Sequence, residues 1–255
     1  MVMKSLSKKL FYILIFGPIL MWILLIWYWR TADFQEILPD QQTVETEQNN
    51  QSDISEENIN IENLIYHDVP FTAQAPFEDW DDIRQQNACE EASMLMAMLY
   101  IKNETISAQK ALDEILKIDT FEETTYGYHL DTSAQDTAKT IRDYFNYPNI
   151  EYKANINIQD IKLQLVKGNL VIVPADGQKL RNPYYTQPGP ETHMLLIIGY
   201  DPARREFITN DPGTKRGKNY KYDEEVLYNA IRDYPTGYHV PITSINKVMI
   251  TVEIK

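Results

Sequence analysis

The sequence predicts an α+β domain in which N-terminal helices, a central one bearing the single cysteine, pack on an antiparallel sheet. Three features predict it. Residues 88–101 are apolar on nearly every helical face, the pattern of a helix buried in a core. Short β-branched runs concentrate after residue 168. Two of them, 194–200 and 206–210, flank a turn, Asp201-Pro-Ala-Arg204, short enough to join strands only as an antiparallel hairpin. Helices first and sheet second is not the alternating order of a doubly wound fold.

In chain order, Asn87-Ala-Cys-Glu90 reads as a capping box, with Asn87 at N-cap, Cys89 at N2 and Glu90 at N3 of the helix 88–101. Ser107 caps a helix over 108–117, and Thr132 or Ser133 caps one over 134–146. Asn157 starts 158–167, which ends at Gly168 in the position that favours glycine. Asp223 caps 224–233. Strands are expected at 169–174, 194–200, 206–210 and 248–254; in the last, Val248, Ile250, Val252 and Ile254 alternate with Met249, Thr251 and Glu253, as in a strand covered on one face.

The region before the domain divides by composition. Residues 1–9 form a basic tail, with Lys4, Lys8 and Lys9. Leu10 to Trp29 are uncharged and mostly apolar. At about 1.5 Å per residue this run crosses the roughly 30 Å hydrocarbon layer. It is longer than the about 7–15 residues of a cleaved signal peptide, and it ends in Trp27, Tyr28, Trp29 and Arg30. An uncleaved signal anchor is therefore expected over 10–29, in contact with the lipid bilayer. The lysines stay in the cytoplasm and the domain lies outside the cell. Residues 30–64 read as a disordered acidic tether: 31–64 hold nine acids and no base. The globular domain is expected over 65–255.

The net charge of −13 argues against nucleic acid as a partner. One cysteine excludes a disulfide scaffold and a cysteine-rich zinc site, and no two histidines have metal-ligand spacing, so neither metal nor cofactor is expected.

The chemistry centres on Cys89. A lone cysteine is commonly a small buried hydrophobe. At a helix start, however, partial positive charge and unpaired N–H groups favour the thiolate, which is the nucleophile. Such a nucleophile needs a base and a group that orients the base. His193 opens the strand 194–200, and Asp211 follows the strand 206–210. With the turn at 201–204 the two come close to facing one another across the hairpin, as a histidine and its orienting carboxylate must. His67, His129 and His239 are read as structural or solvent-facing. For the oxyanion, the Cys89 N–H supplies one donor and a glutamine side chain another. Gln74, Gln85 and Gln86 all precede Cys89; Gln85 and Gln86 stand in the turn entering the helix, and the choice between Gln74 and Gln86 stays open on the residues alone. The loop 176–192, with Tyr184 and Tyr185, is read as a substrate-binding wall.

These residues resemble a known family. Val69-Pro-Phe-Thr-Ala-Gln-Ala-Pro76, Trp80 and Ala88-Cys-Glu-Glu-Ala-Ser-Met-Leu-Met96 are similar to the first half of peptidase C39-like domains, whose Cys-x2-Ala-x3-Met pattern falls on Cys89, Ala92 and Met96. Asn182-Pro-Tyr-Tyr185, Gly189-Pro190, His193 to Asp201, Asn210-Asp-Pro212 and Gly213 to Gly217 are similar to the second half. The resemblance implies a papain-like fold, a Cys-His-Asp triad of Cys89, His193 and Asp211, an oxyanion glutamine at Gln74, and an activity of peptide-bond hydrolysis on a peptide or protein substrate. Bacteriocin-processing members carry that glutamine six residues before the cysteine, where this chain has Ile83, and are fused to transporters absent from this chain. Transglutaminase-like or cell-wall amidase chemistry at the same triad, and a non-catalytic binding module, are the alternative readings.

Overall fold

The computed structural model describes residues 61–254. The expected anchor over 10–29 and the tether up to residue 60 lie outside the described residues. Among the described residues no helix is long and apolar enough to cross a membrane.

The elements follow in the order β1 (Ile65–Tyr66), α1 (Ile83–Gln86), α2 (Cys89–Lys102), α3 (Ala108–Tyr126), α4 (Ala134–Phe145), β2 (Ile150–Ala154), α5 (Ile158–Val166), β3 (Leu170–Ala175), α6 (Gly177–Leu180), β4 (His193–Asp201), β5 (Glu206–Asn210), β6 (Tyr220–Asp223), α7 (Glu224–Ala230) and β7 (Val248–Val252). The strands form one sheet in the order β2-β7-β3-β4-β5-β6, with β1 also paired to β4, and every pairing is antiparallel. This is the α+β, papain-like class that the sequence predicts.

Strand alternation divides the core in two. Leu170, Ile172, Met194, Leu196, Ile198, Val248 and Ile250 face the layer of α2, α3 and α4. Val171, Val173, Leu195, Ile197, Phe207 and Met249 face the other way, against Ile161 and Leu165 of α5 and Leu227 of α7. Helix α2 is buried from Cys89 to Leu99, so its apolar circumference is filled on all sides.

Ser107, Ser133, Asn157 and Asp223 cap their helices through the expected side-chain bonds, and Asn157 with Asp160 closes a full capping box. Four expectations are corrected. Cys89 stands at N1, not N2: Asn87 terminates the short helix α1, its Nδ2 donating to the Ile83 carbonyl 2.8 Å away, and the N-cap of α2 is Ala88, which has no side chain to offer. Helix α3 continues to Tyr126 rather than stopping at 117, because its last turns bury Ile118, Asp119 and Glu122, a partly polar face that breaks the apolar stripe. Helix α7 stops at Ala230, before 233, where Ile231 turns extended and bridges to Ala175. β7 is covered on both faces, since Val248, Ile250 and Val252 enter the core under α2, α3 and α4 while Met249 enters the core on the other side of the sheet, as buried as Ile250.

Candidate active site

The start of α2, the turn after β5 and the loop after α6 meet around a cleft of about 560 Å³, whose lining includes Gln74, Trp80, Cys89, Tyr184, Tyr185 and His193. Two long-range bonds seat the segment bearing Gln74: its N–H donates to the Pro212 carbonyl at 3.0 Å, and Asn210 Nδ2 donates to the Val69 carbonyl at 3.1 Å.

His193 is the first residue of β4 and is 1% exposed. Its Nε2 lies 2.9 Å from Asp211 Oδ1. The hairpin brings them together, with an offset. β4 and β5 pair Leu196 with Asn210, and a register shift falls between Ile197 and Gly199. Continuing that register would set Asp211 opposite Leu195, so the carboxylate reaches His193 diagonally. It does so from a tight turn: Asp211 N–H donates to the Gly217 carbonyl, and Asp211 Oδ1 accepts from Gly213 N–H, both at 3.0 Å. One side chain thus serves as both the Asx-turn acceptor and the imidazole partner. Gly213 is required at this turn, because a Cβ there would stand 2.9 Å from His193 Cε1 and 3.0 Å from Tyr185 Cε1.

Asp211 Oδ2 accepts three further bonds, from Tyr222 OH at 2.5 Å, Tyr185 OH at 2.6 Å and Asn182 Nδ2 at 3.1 Å. Burial alone would raise its pKa. The His193 charge, together with the bonds from His193, Tyr185 and Tyr222, overcomes that and holds it at about 2. Asp211 is therefore an anion at neutral pH. With Nε2 bound to Asp211, His193 has Nδ1 as the nitrogen available to exchange a proton in the cleft.

Cys89 lines the same cleft and is 5% exposed. At N1 its N–H is one of the unpaired donors of the helix start. Its thiol behaves otherwise than the helix start alone suggests: burial, then the charge of Glu90, push it well above its ordinary value. Among the described residues the thiol donates to Glu90 Oε2, 3.0 Å away, and not to His193.

The glutamines take different places. Gln74 Nε2 donates to the carbonyls of Gln85 at 3.0 Å and Gln86 at 2.8 Å, beside the start of α2, while its Oε1 is buried without a partner. Gln85 is buried outside the cleft lining, and Gln86 lines the cleft with its amide donating to the Trp80 carbonyl. The two tyrosines also diverge. Tyr184 is 45% exposed, with the Arg216 guanidinium 4.8 Å from its ring. Tyr185 is turned inward, edge-on to His193 with ring centres 5.5 Å apart. His129 pairs with Asp119 at 2.7 Å and His67 Nδ1 lies 3.1 Å from Tyr100 OH, both away from the cleft lining. Among the described residues no group of three or more His, Cys, Asp or Glu side chains is arranged to hold a metal.

Sequence reading does not find the shell that holds the site. Tyr222 comes from an edge strand, Asn182 from a loop and Tyr234 from the segment after α7, and no local pattern points any of them at Asp211 or Glu90.

Cys89 at the start of a buried helix and His193 at the head of β4, bonded to a carboxylate in the turn after β5, line one cleft of an α+β domain of the papain-like class. The chain belongs to the Peptidase_C39 like family, whose model matches residues 66–236. Membership supports a peptidase-type function on peptide or protein substrates. Among solved structures the chain is similar to a protein described as a C39-like peptidase from Bacillus anthracis, at 14% identity over 75% of this chain and 98% of that one, with a TM-score of 0.46. No curated protein matches it.

Proposed function

We propose that this chain is a cysteine peptidase that hydrolyses peptide bonds through Cys89, His193 and Asp211 by way of an acyl-enzyme. The observation that carries the reading is the His193–Asp211 pair at 2.9 Å, opening on the cleft that Cys89 also lines. His193 Nδ1 takes the thiol proton, and Sγ attacks the scissile carbonyl. The Cys89 N–H donates to the oxyanion. Gln74 supplies the second donor when the oxyanion draws one of its N–H groups from a backbone carbonyl of Gln85 or Gln86. The buried Asp211 anion balances the imidazolium, which then protonates the leaving amine, and water releases the acyl group. Tyr184 and Trp80 offer exposed aromatic surface to the substrate at the rim of the cleft.

In this reading residues 10–29 anchor the chain in the cell membrane and residues 30–64 hold the domain, 65–255, outside the cell. The test is N-terminal proteomics of the cell exterior with wild-type chain and with Cys89→Ala. New protein termini that vanish in the variant support the peptidase; identical sets of termini overturn it.

A further inference from the structure

One contact in the cleft has no place in the triad chemistry. Glu90 is 1% exposed and holds two different groups. Its Oε2 accepts from the Cys89 thiol at 3.0 Å, and its Oε1 accepts from Tyr234 OH at 2.5 Å. Tyr234 is itself 3% exposed and is fixed by Asp233, whose Oδ1 accepts both the Tyr234 N–H at 3.1 Å and the Ala134 N–H at 3.0 Å. A first-turn glutamate usually faces solvent or reaches back to the N-cap. This one is clamped between a tyrosine 144 residues away and the sulfur.

We propose that Glu90 is a positioning residue for the nucleophile, resting on the reading of Cys89 as that nucleophile. As a carboxylate, Glu90 accepts the thiol hydrogen bond and keeps Sγ neutral and directed away from His193. As a carboxylic acid, it donates that hydrogen bond instead, which favours the thiolate and frees Sγ to pair with the imidazolium. The protons are separate: Glu90 takes its own from water as pH falls through its titration, and the thiol proton passes to His193 during catalysis, leaving Sγ as the thiolate to which Glu90 Oε2–H donates.

The surroundings agree with this role. Burial raises Glu90 to about 7, against the opposing bonds from Cys89 and Tyr234, so both of its forms are populated near neutral pH. The groups whose charges bear on it are Cys89 and Glu91 on α2, Glu122 on α3, Asp131 in the loop before α4, and Tyr234. Apart from the neutral thiol and phenol these are acids. They favour the protonated form of Glu90, so the bonds from Cys89 and Tyr234 are what sustain the carboxylate.

Cys89 is the chain's one cysteine, so the rate of iodoacetamide alkylation of the purified full-length chain against pH reports its thiol alone. Glu90→Gln keeps an acceptor for Tyr234 and removes the charge. It should lower the apparent thiol pKa by about 1–3 units. Tyr234→Phe withdraws one of the two donors that sustain the carboxylate, and should move the profile the same way by less. Glu90→Asp keeps the charge but draws it back from Sγ. It should fall between wild type and Glu90→Gln, and it is the variant to read if Glu90→Gln does not fold. A purely structural role for Glu90 would lower the melting temperature without moving the thiol titration. A Glu90→Gln profile that superimposes on wild type, or moves upward, overturns the proposal. His193→Ala separates the two readings. If it leaves both alkylation and peptide cleavage unchanged while Glu90→Gln shifts the titration, Glu90 controls the thiol and the peptidase reading falls. If His193→Ala shifts the titration and Glu90→Gln does not, the peptidase reading stands and the role of Glu90 falls.

Discussion

Glu122→Gln should stabilise the protein at neutral pH and leave it unchanged in mild acid. Glu122 is fully buried on α3, accepts a 2.6 Å bond from Thr140 Oγ1 and faces Glu91. Glu91 Oε2 and Glu122 Oε2 are both buried without a donor, as two carboxylates are when only a proton between them can satisfy the pair. Burial first, then the charges of Glu90 and Asp119, raise Glu122 from 4.5 to about 8, against the lowering bonds from Thr140 and Glu91. A carboxyl whose folded pKa lies above its unfolded value contributes stability that is complete below the unfolded pKa and is lost as pH rises through the folded one. With these two values, ionisation in the unfolded chain costs the fold about 1 kcal/mol at pH 5 and about 4 kcal/mol at pH 7.5, a loss of about 3 kcal/mol between them. The introduced amide would keep the Thr140 bond and offer Glu91 an N–H donor. Urea denaturation of both full-length proteins at pH 5, 6, 7 and 7.5 measures the difference. The curves should meet near pH 5, with the variant about 2–3 kcal/mol more stable at pH 7.5. Parallel stability curves across this range would refute the shared-proton pair.

Three further outcomes follow from the geometry of the cleft. Gly213→Ala places a methyl 2.9 Å from His193 Cε1 and, because the buried His193 and Tyr185 must shift to admit it, should lower kcat/KM about 100-fold, measured on a peptide substrate cleaved by wild type, and lower the melting temperature as well. Tyr222→Phe removes a 2.5 Å bond to the Asp211 anion. Because Asp211 is held down to about 2, its contribution is present above its ordinary 3.8 and is lost as pH falls through 2; the variant should unfold at higher pH on acid titration by circular dichroism and lose about 1–3 kcal/mol at pH 7. Gln74→Ala should lower kcat about 100- to 1,000-fold with KM nearly unchanged, the signature of a donor used in the transition state; an equal loss in KM alone would assign Gln74 to substrate binding.

What the sequence makes legible here is local. Ser107, Ser133, Asn157 and Asp223 are read correctly as caps because a cap depends on a side chain and backbone groups two or three residues away. β2 and β6 escape because each is a short strand at an edge of the sheet: Ile150–Ala154 and Tyr220–Asp223 show too few alternations to stand out from loop. The end of α3 escapes for a different reason. Its inner face there carries Asp119 and Glu122, so the polarity that would mark a surface helix belongs to a buried carboxylate cluster. The hairpin is legible in outline but not in register: the pairing near the turn, Tyr200 with Phe207, would set Asp211 opposite Leu196, and the shift between Ile197 and Gly199 brings it opposite Leu195, one residue nearer His193.

The thiol shows where local reading reverses sign. From the sequence, a helix start beneath Cys89 argues for thiolate, since it presents the equivalent of about half a positive charge. The same four residues also contain Glu90, which reads as a capping partner and so as a backbone contact. The structure moves the helix start: Ala88 is the N-cap, so Glu90 stands at N2 rather than the N3 position from which a side chain reaches back to the N-cap N–H. The carboxylate turns instead to the sulfur at 3.0 Å and brings a full negative charge against a half charge spread over several N–H groups. Burial acts first, disfavouring the thiolate, and this nearer and larger charge adds to it, which is why Cys89 is raised rather than lowered. The sign of the field on Sγ therefore depends on whether Glu90 carries its proton. That is set first by burial, and then by Tyr234, 144 residues along the chain, and by acids as distant in sequence as Glu122 and Asp131, none of which a window around Cys89 contains.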